Sequence, residues 1–337
     1  MKKIPVSVGI DYSMSGVQVC VQDMQGKLLR NKKCPDTWLA VAGIVGKDEA
    51  VQVAVIEACT GAADLADELR AHAGWPMQLA MPGIVKKMKL NPDKTDWQDA
   101  HVLCDLGRVK YVPRVWLAPQ RVRELRLVTR YRQQLVNQRR AAKLRMGAIL
   151  REQRVLVTGR RWSKPWQQAM AEHKDLSEQG RWVLRQHVQT VVKLSAEIAQ
   201  VEAHLEAIGA DDWMVRELMT YKGIGLVTAC VMRAEIGSFE RFKSAKSLSR
   251  YCALSPRNAS SGARQADAGV IQAGNRIVRT ILIEAAHRLV RYEPRWKALA
   301  ADLRARGKHG NVIAVAVANR WIRGLYHNGM QLERAAA

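Results

Sequence analysis

The chain has 337 residues, 48% hydrophobic and 25% charged, with 54 Lys and Arg against 31 Asp and Glu for a formal net charge of +23 at pH 7. That length allows roughly two or three domains with a sizeable core, and the composition is that of a folded chain. The charge favours polyanionic partners, nucleic acid before an anionic membrane surface, and no apolar run of about eighteen residues is present to span a bilayer. The opening stretch "MKKIPVSVGIDYS" has no apolar h-region and reads as a first strand, not as a signal peptide. Six cysteines (Cys20, Cys34, Cys59, Cys104, Cys230 and Cys252) are scattered, with no CxxC and no His at zinc spacing. Reduced thiols in a cytoplasmic protein are the plain expectation.

In chain order, "PVSVGID", "GVQVCVQD" and "LLRNKK" predict three strands joined by hairpins, with a turn at "MQGK". A helix-like "DTWLAVAGIVG" leads to a fourth strand, "VQVAVIEA". A helix ("GAADLADELRAHAG"), a short strand ("PMQLAM") and a helix carrying Asp96 and Asp99 follow. This alternation predicts a mixed sheet with helices packed on it, over residues 1–118. From Pro119 the chain becomes Arg-rich and nearly free of Gly and Pro, predicting a long helix that holds "YRQQLVNQRRAAKLR". That helix offers a basic surface for RNA or DNA. A second long helix carries Leu194, Ile198, Val201, Leu205 and Ile208 at alternating spacings of 4 and 3, the seam of a coiled coil or a helical hairpin. The seam suits packing within the chain or a dimerisation arm, and these helices span 119–209. Residues 210–330 are expected to be mostly helical. In "TYKGIGLVTACVMRAEIG" the Gly223–Gly225 turn resembles a helix-hairpin-helix, whose backbone can approach phosphate. A polar loop and an amphipathic helix bearing Arg276 and Arg279 come next.

The carboxylates carry the chemistry. Asp11 ends the first predicted strand and Glu57 the fourth, although Glu is depleted in strands. With those strands side by side, the two would meet at one edge. Asp96 and Asp99, at i and i+3, share one helix face and could join them. Alone, such a pair is most often a solvated face. Four crowded carboxylates need a compensating cation, and hard oxygen ligands suit Mg²⁺ or Mn²⁺. Two such ions about 4 Å apart activate an attacking oxygen and stabilise a leaving one at phosphorus.

The stretches "GIDYS", "IEACTG" and "KTDWQDA" resemble the Asp-Glu-Asp-Asp signature of insertion-sequence transposases of the IS-one-ten and IS-eleven-eleven groups. "YKGIG", "FKSAKSLSRYCALSPRNASSG" and "AGNRIVRTILIEAA" resemble the second domain of the same family, and the resemblance runs in the family's order along nearly the whole chain. It implies a RuvC-like, ribonuclease-H-type domain with Asp11, Glu57, Asp96 and Asp99 as catalytic metal ligands. A coiled-coil middle and a C-terminal transposase domain with a nucleophilic serine would follow. In "SPRNASSG" the serine before Gly262 is Ser261, with Ser260 its neighbouring alternative. No His lies in that loop to activate it. After Gly262, "ARQADAGVIQAGN" is less basic than the family's habit. Arg257 is a candidate phosphate clamp, and Lys94, Lys222, Arg276 and Arg279 are further candidate nucleic-acid contacts.

The resemblance implies a recombinase acting at the prokaryotic chromosome. A structured non-coding RNA from the element's own end, a bridge or seek RNA, would guide it by pairing with donor and target DNA. Strand exchange would pass through a phosphoserine link. A homo-oligomer, dimer or tetramer, would share composite sites, and no membrane is involved. A metal-dependent nuclease or Holliday-junction resolvase with a structural Ser261 is the competing enzyme. A non-catalytic architectural binder is the alternative from another class.

Overall fold

The computed structural model describes residues 3–13, 16–88, 95–156, 159–258, 267–271 and 273–336. The chain divides into two compact units, Met1–Ala118 and Pro119–Ala337. No helix among the described residues is long and apolar enough to cross a membrane.

The first unit runs β1 (Ile4–Ser13), β2 (Gly16–Asp23), β3 (Leu28–Cys34), α1 (Trp38–Ala42), β4 (Glu49–Glu57), α2 (Ala62–Ala73), β5 (Met77–Ala80), α3 (Pro82–Met88), α4 (Asp96–Arg108) and β6 (Arg114–Val115). Its six strands form one mixed sheet in the order β3-β2-β1-β4-β5-β6. β1 pairs antiparallel with β2 and parallel with β4, and β5 is parallel to β4. The alternation of each strand explains the layering, because successive side chains point to opposite faces. Val6, Val8 and Ile10 of β1 join Val17, Val19 and Val21 of β2 and Ala54 and Ile56 of β4 in a core that includes Leu65, Ala66 and Leu69 of α2. On the opposite face, Val53 and Val55 pack with Val85 of α3 and Leu103 and Leu106 of α4.

On that second face α4 lies unusually close to the sheet. A Cβ at Gly9 would overlap the Ala100 carbonyl oxygen and the Cys104 amide nitrogen, so helix backbone rests on strand backbone. Ser7 Oγ donates to the Cys104 carbonyl at 2.8 Å. Cys20, Ala100 and Cys104 fill the adjoining space, each fully buried. The two-residue strand β6 and the helix α3 were not apparent from sequence. β6 is too short to show a period, and α3 has only a single buried residue, Val85.

The second unit holds α5 (Gln120–Glu152), α6 (Lys164–Ala171), α7 (Glu178–Gly209), α8 (Trp213–Thr220), α9 (Leu226–Ile236), α10 (Ala245–Tyr251), the strands β7 (Pro256–Asn258) and β8 (Asp267–Val270), α11 (Arg276–Tyr292), α12 (Pro294–Ala305) and α13 (Gly310–Ala336). α5 and α7 pack antiparallel: Arg132 is paired with Glu202 at 2.8 Å, and seven residues further on Arg139 donates to Ser195 Oγ at 3.3 Å. The apolar seam is absorbed inside the unit. Leu194 and Ile198 are buried with Leu135 of α5, and Leu205 lies in the core shared by α8 to α13. Where sequence predicts a plain polar loop after α10, the chain instead forms an antiparallel hairpin, with Pro256 opposite Val270 and Asn258 opposite Asp267.

The contact at Gly9 sets a sharp expectation. Gly9→Ala should destabilise the first unit by about 3 kcal/mol through overpacking. Cys20 and Cys104 would then become reactive to a thiol reagent at lower urea than in the unsubstituted protein, while Cys252 in the second unit would not shift.

Candidate active site

Asp11 is half-buried near the end of β1, and Glu57 is the half-buried last residue of β4. Gly9 pairs with Val55 and Ile10 with Ile56 in parallel register, so the next residues along, Asp11 and Glu57, lie side by side where the β1–β4 pairing ends. Both fall on the face that α4 covers, since Ser7, Gly9 and Asp11 alternate with core-facing Val6, Val8 and Ile10. α4 runs opposite to β1: Cys104 lies over Ser7 and Ala100 over Gly9. Its N-terminal turn therefore points toward the strand end that carries Asp11. Asp96 is the exposed first residue of that helix, and Asp99 is 3% exposed.

The start of α4 is fixed from two sides. Thr95 caps it, accepting from the Gln98 amide at 3.3 Å, and negative charge in the first turn suits the helix dipole. An amide relay ties it to the sheet: Gln18, the cross-strand partner of Asp11, donates to Asn31 Oδ1 at 2.6 Å, and Asn31 Nδ2 donates to the Trp97 carbonyl at 3.0 Å. Sequence reading missed Gln18 and Asn31. Glutamines spaced along "VQVCVQ" are the only local signal, since a polar residue on an inward-facing position of a strand needs a partner.

The charges of Glu57 and Asp11 both act on a nearby thiol. Cys59 lies just past β4, and its thiol is pushed above the ordinary value by burial first, then by the Glu57 charge, with the Asp11 charge adding to it. Asp11, Glu57, Asp96 and Asp99 would offer only carboxylate oxygen, the chemistry that hard divalent cations take. As placed, no group of three or more His, Cys, Asp or Glu side chains among the described residues could hold a metal ion. Asp11 and Glu57 lie side by side at one end of the sheet, and the first turn of α4, with Asp96 and Asp99, is directed toward that end.

Two family models match the chain. One for DEDD-type IS110 transposases, described as "Transposase", covers residues 8–154, and one described as "Transposase IS116/IS110/IS902 family" covers residues 215–301. The chain belongs to the IS110 family of transposases. The chain is 29% identical over 287 residues to a "Probable family 20 transposase" of Pseudomonas aeruginosa, covering 80% of this chain and 82% of that protein. It is 24% identical to the "Transposase for insertion sequence element IS1328" of Yersinia enterocolitica, over 94% of both chains. It is 26% identical to the "Transposase for insertion sequence element IS1111A" of Coxiella burnetii, over 87% of this chain and 79% of that one.

The transposase's second unit holds the remaining candidates. Ser261, its neighbour Ser260 and Lys94 lie outside the described residues. Arg257 is exposed on β7, and Arg276 and Arg279 lie in the first turn of α11. Lys222 is exposed in the turn between α8 and α9. In that turn Gly223 has φ +82°, and Arg288 Nε donates to its carbonyl at 2.7 Å. A Cβ at Gly223 would come within 2.8 Å of the Arg288 Cβ. Gly225 then starts α9 with no side-chain cap, leaving the first amides of the helix to other acceptors.

The charge effect on Cys59 gives a test free of any assay for transposition. In buffer with a chelator, Glu57→Gln removes a negative charge beside the thiol, so the Cys59 pKa falls and the thiolate fraction at neutral pH rises. Alkylation of the Cys59 peptide, followed by mass spectrometry, should be faster than in the unsubstituted protein; an unchanged rate would place Glu57 away from Cys59.

Proposed function

We propose that this IS110-family transposase exchanges DNA strands through a covalent phosphoserine link at Ser261, with Asp11, Glu57, Asp96 and Asp99 as the ligands of Mg²⁺ or Mn²⁺. The observation that supports this most is the side-by-side placement of Asp11 and Glu57 where the parallel pairing of β1 and β4 ends, with the first turn of α4 directed to the same end. The first unit, residues 1–118, is on this reading a RuvC-like, ribonuclease-H-type domain. Residues 119–209 form a coiled-coil arm, and 210–330 the transposase domain that carries the serine and a helix-hairpin-helix-like element.

Asp11, Glu57, Asp96 and Asp99 would hold the divalent ion, which would supply positive charge at the phosphoryl group and favour the ionised form of an attacking hydroxyl. The chain's own groups do the rest. Ser261 Oγ attacks the phosphodiester, forms the phosphoserine ester and expels a 3′-oxygen, which leaves as a hydroxyl with the serine's proton. A 3′-hydroxyl of the partner strand then attacks the phosphoserine and returns the proton to Ser261, so no high-energy cofactor is consumed. Arg257, Arg276 and Arg279 flank the Ser261 segment in sequence and suit bidentate contacts to phosphate. Lys222 and the uncapped amides of α9 suit a second phosphate.

A structured RNA from the element's flank guides the transposase by pairing with donor and target DNA, and the protein assembles as a dimer or tetramer on them. A net charge of +23 supports a partner set so rich in phosphate. The protein would work at the bacterial chromosome.

The test is covalent trapping. Full-length protein, RNA transcribed from the element's flanks, Mg²⁺ and end-labelled donor and target DNA are combined and run on a denaturing gel. Label should stay on the unsubstituted protein and be lost in both Ser261→Ala and Asp11→Asn. Cleavage without an adduct, undiminished in Ser261→Ala, would make the enzyme a metal-dependent nuclease or junction resolvase instead.

A further inference from the structure

Glu235, near the end of α9, is a densely bonded carboxylate of the second unit and only 1% exposed. Arg130 of α5 grips its carboxylate with two bonds, Nε to Oε1 at 2.8 Å and Nη2 to Oε2 at 3.1 Å. Asn275 Nδ2 donates to Oε2 at 2.7 Å, and Arg126 stands at 3.8 Å. The Glu235 carbonyl accepts the Tyr251 hydroxyl at 2.8 Å. Burying a carboxylate costs several kcal/mol before pairing, and apolar residues of similar volume often give equal stability, so such a cluster points to a demand for geometry.

What it holds is the neck of the β7–β8 hairpin. Tyr251 is the last residue of α10, just before β7, and Asn275 is the cap of α11, just after β8. Asn275 joins the two: its amide donates to the Tyr251 carbonyl at 2.7 Å, and its side-chain oxygen accepts from the amides of Ile277 and Val278 at 3.0 and 3.2 Å. Ile271 closes the neck with a bond to the Ser255 carbonyl at 3.0 Å. Gly274, at φ +117°, admits the close approach of the two strands of chain, because a Cβ there would stand 2.8 Å from the carbonyl oxygens of Arg250 and Tyr251. From the outgoing side, Asn319 of α13 holds the Leu254 carbonyl at 3.0 Å.

We propose that Glu235 is a positioning residue for the transposition chemistry: through Asn275 and Tyr251 it fixes both stems of the hairpin between which Ser261 lies in sequence, and through Arg130 it ties that neck to the arm helix α5. This rests on the reading of Ser261 as nucleophile. The role is to hold a reacting group, since misplacement by about 1 Å costs on the order of 100-fold in rate. Glu235 itself touches no substrate.

Exchange of the donor and acceptor tests it. Asn275→Asp keeps the oxygen that caps α11 but sets a carboxylate against that of Glu235. Adding Glu235→Gln reverses the bond, with the new amide donating to the new carboxylate. Full-length protein with flank-transcribed RNA, Mg²⁺ and labelled donor DNA is followed in single turnover, alongside DNA affinity and thermal unfolding. Asn275→Asp should slow adduct formation about 100-fold at saturating DNA, with affinity changed by about twofold or less, and the double variant should recover most of the rate. An unimpaired Asn275→Asp, a matching loss of affinity, or a loss that the double variant does not recover would each overturn the proposal. A parallel Ser261→Ala reaction separates the two readings. If it stays active the serine assignment fails, whereas an inactive Ser261→Ala beside an unimpaired Asn275→Asp sinks the positioning role alone.

Discussion

The contact between α4 and β1 at Gly9 governs the first unit. Two backbones meet there with no side chain between them, and every other placement on that face follows from it. Ser7 and Cys104 exchange bonds through their side chains and carbonyls, at 2.8 and 3.1 Å, because the approach leaves room for nothing larger. Gly107, one further turn along α4, sits against Val53, Val55 and Ser7 for the same reason. With the axial position of the helix pinned at residues 100, 104 and 107, the position of its first turn is settled too, and with it Asp96 and Asp99.

That arrangement reconciles a basic protein with a concentrated acidic end. Parallel strands put Asp11 and Glu57 at a common edge, where loops leave the sheet and polar groups can meet solvent or ligand. Carboxylates gathered at one end repel one another, so on the proposed reading a divalent cation would relieve that repulsion. In the second unit the balance is reversed: the buried carboxylate of Glu235 gathers Arg126, Arg130 and Asn275 around it. There the buried negative charge is matched by arginine and amide partners within the chain.

Much of the first unit could be read from sequence because its cues are local. Valines at every second position declared β1, β2 and β4, and the carboxylates at their ends needed no knowledge of distant partners. The cues failed where partners are far apart in the chain. Glu235 looks like one more polar residue in "VMRAEIG", and its burial depends on Arg130, 105 residues earlier. The hairpin of β7 and β8 hid in Ser-, Ala- and Gly-rich sequence with strands of three and four residues, too short for alternation to register. The seam on α7 was visible as a pattern, but the pattern does not say what covers it. Leu135 and the surrounding helices do so within the chain.

The pairing of α5 with α7 has a further implication for how such an arm can change over time. Arg132 with Glu202, and Arg139 with Ser195, advance by seven residues on each helix in opposite directions. Losing one residue from α5 alone would turn everything beyond it by about 100°, setting apolar positions such as Met146 and Leu150 toward water. Length is therefore most easily gained or lost in matched blocks of about two turns on both helices, which keep each face where it was. The paired helices thus behave as a register: a change in one must be answered by an equal change in the other.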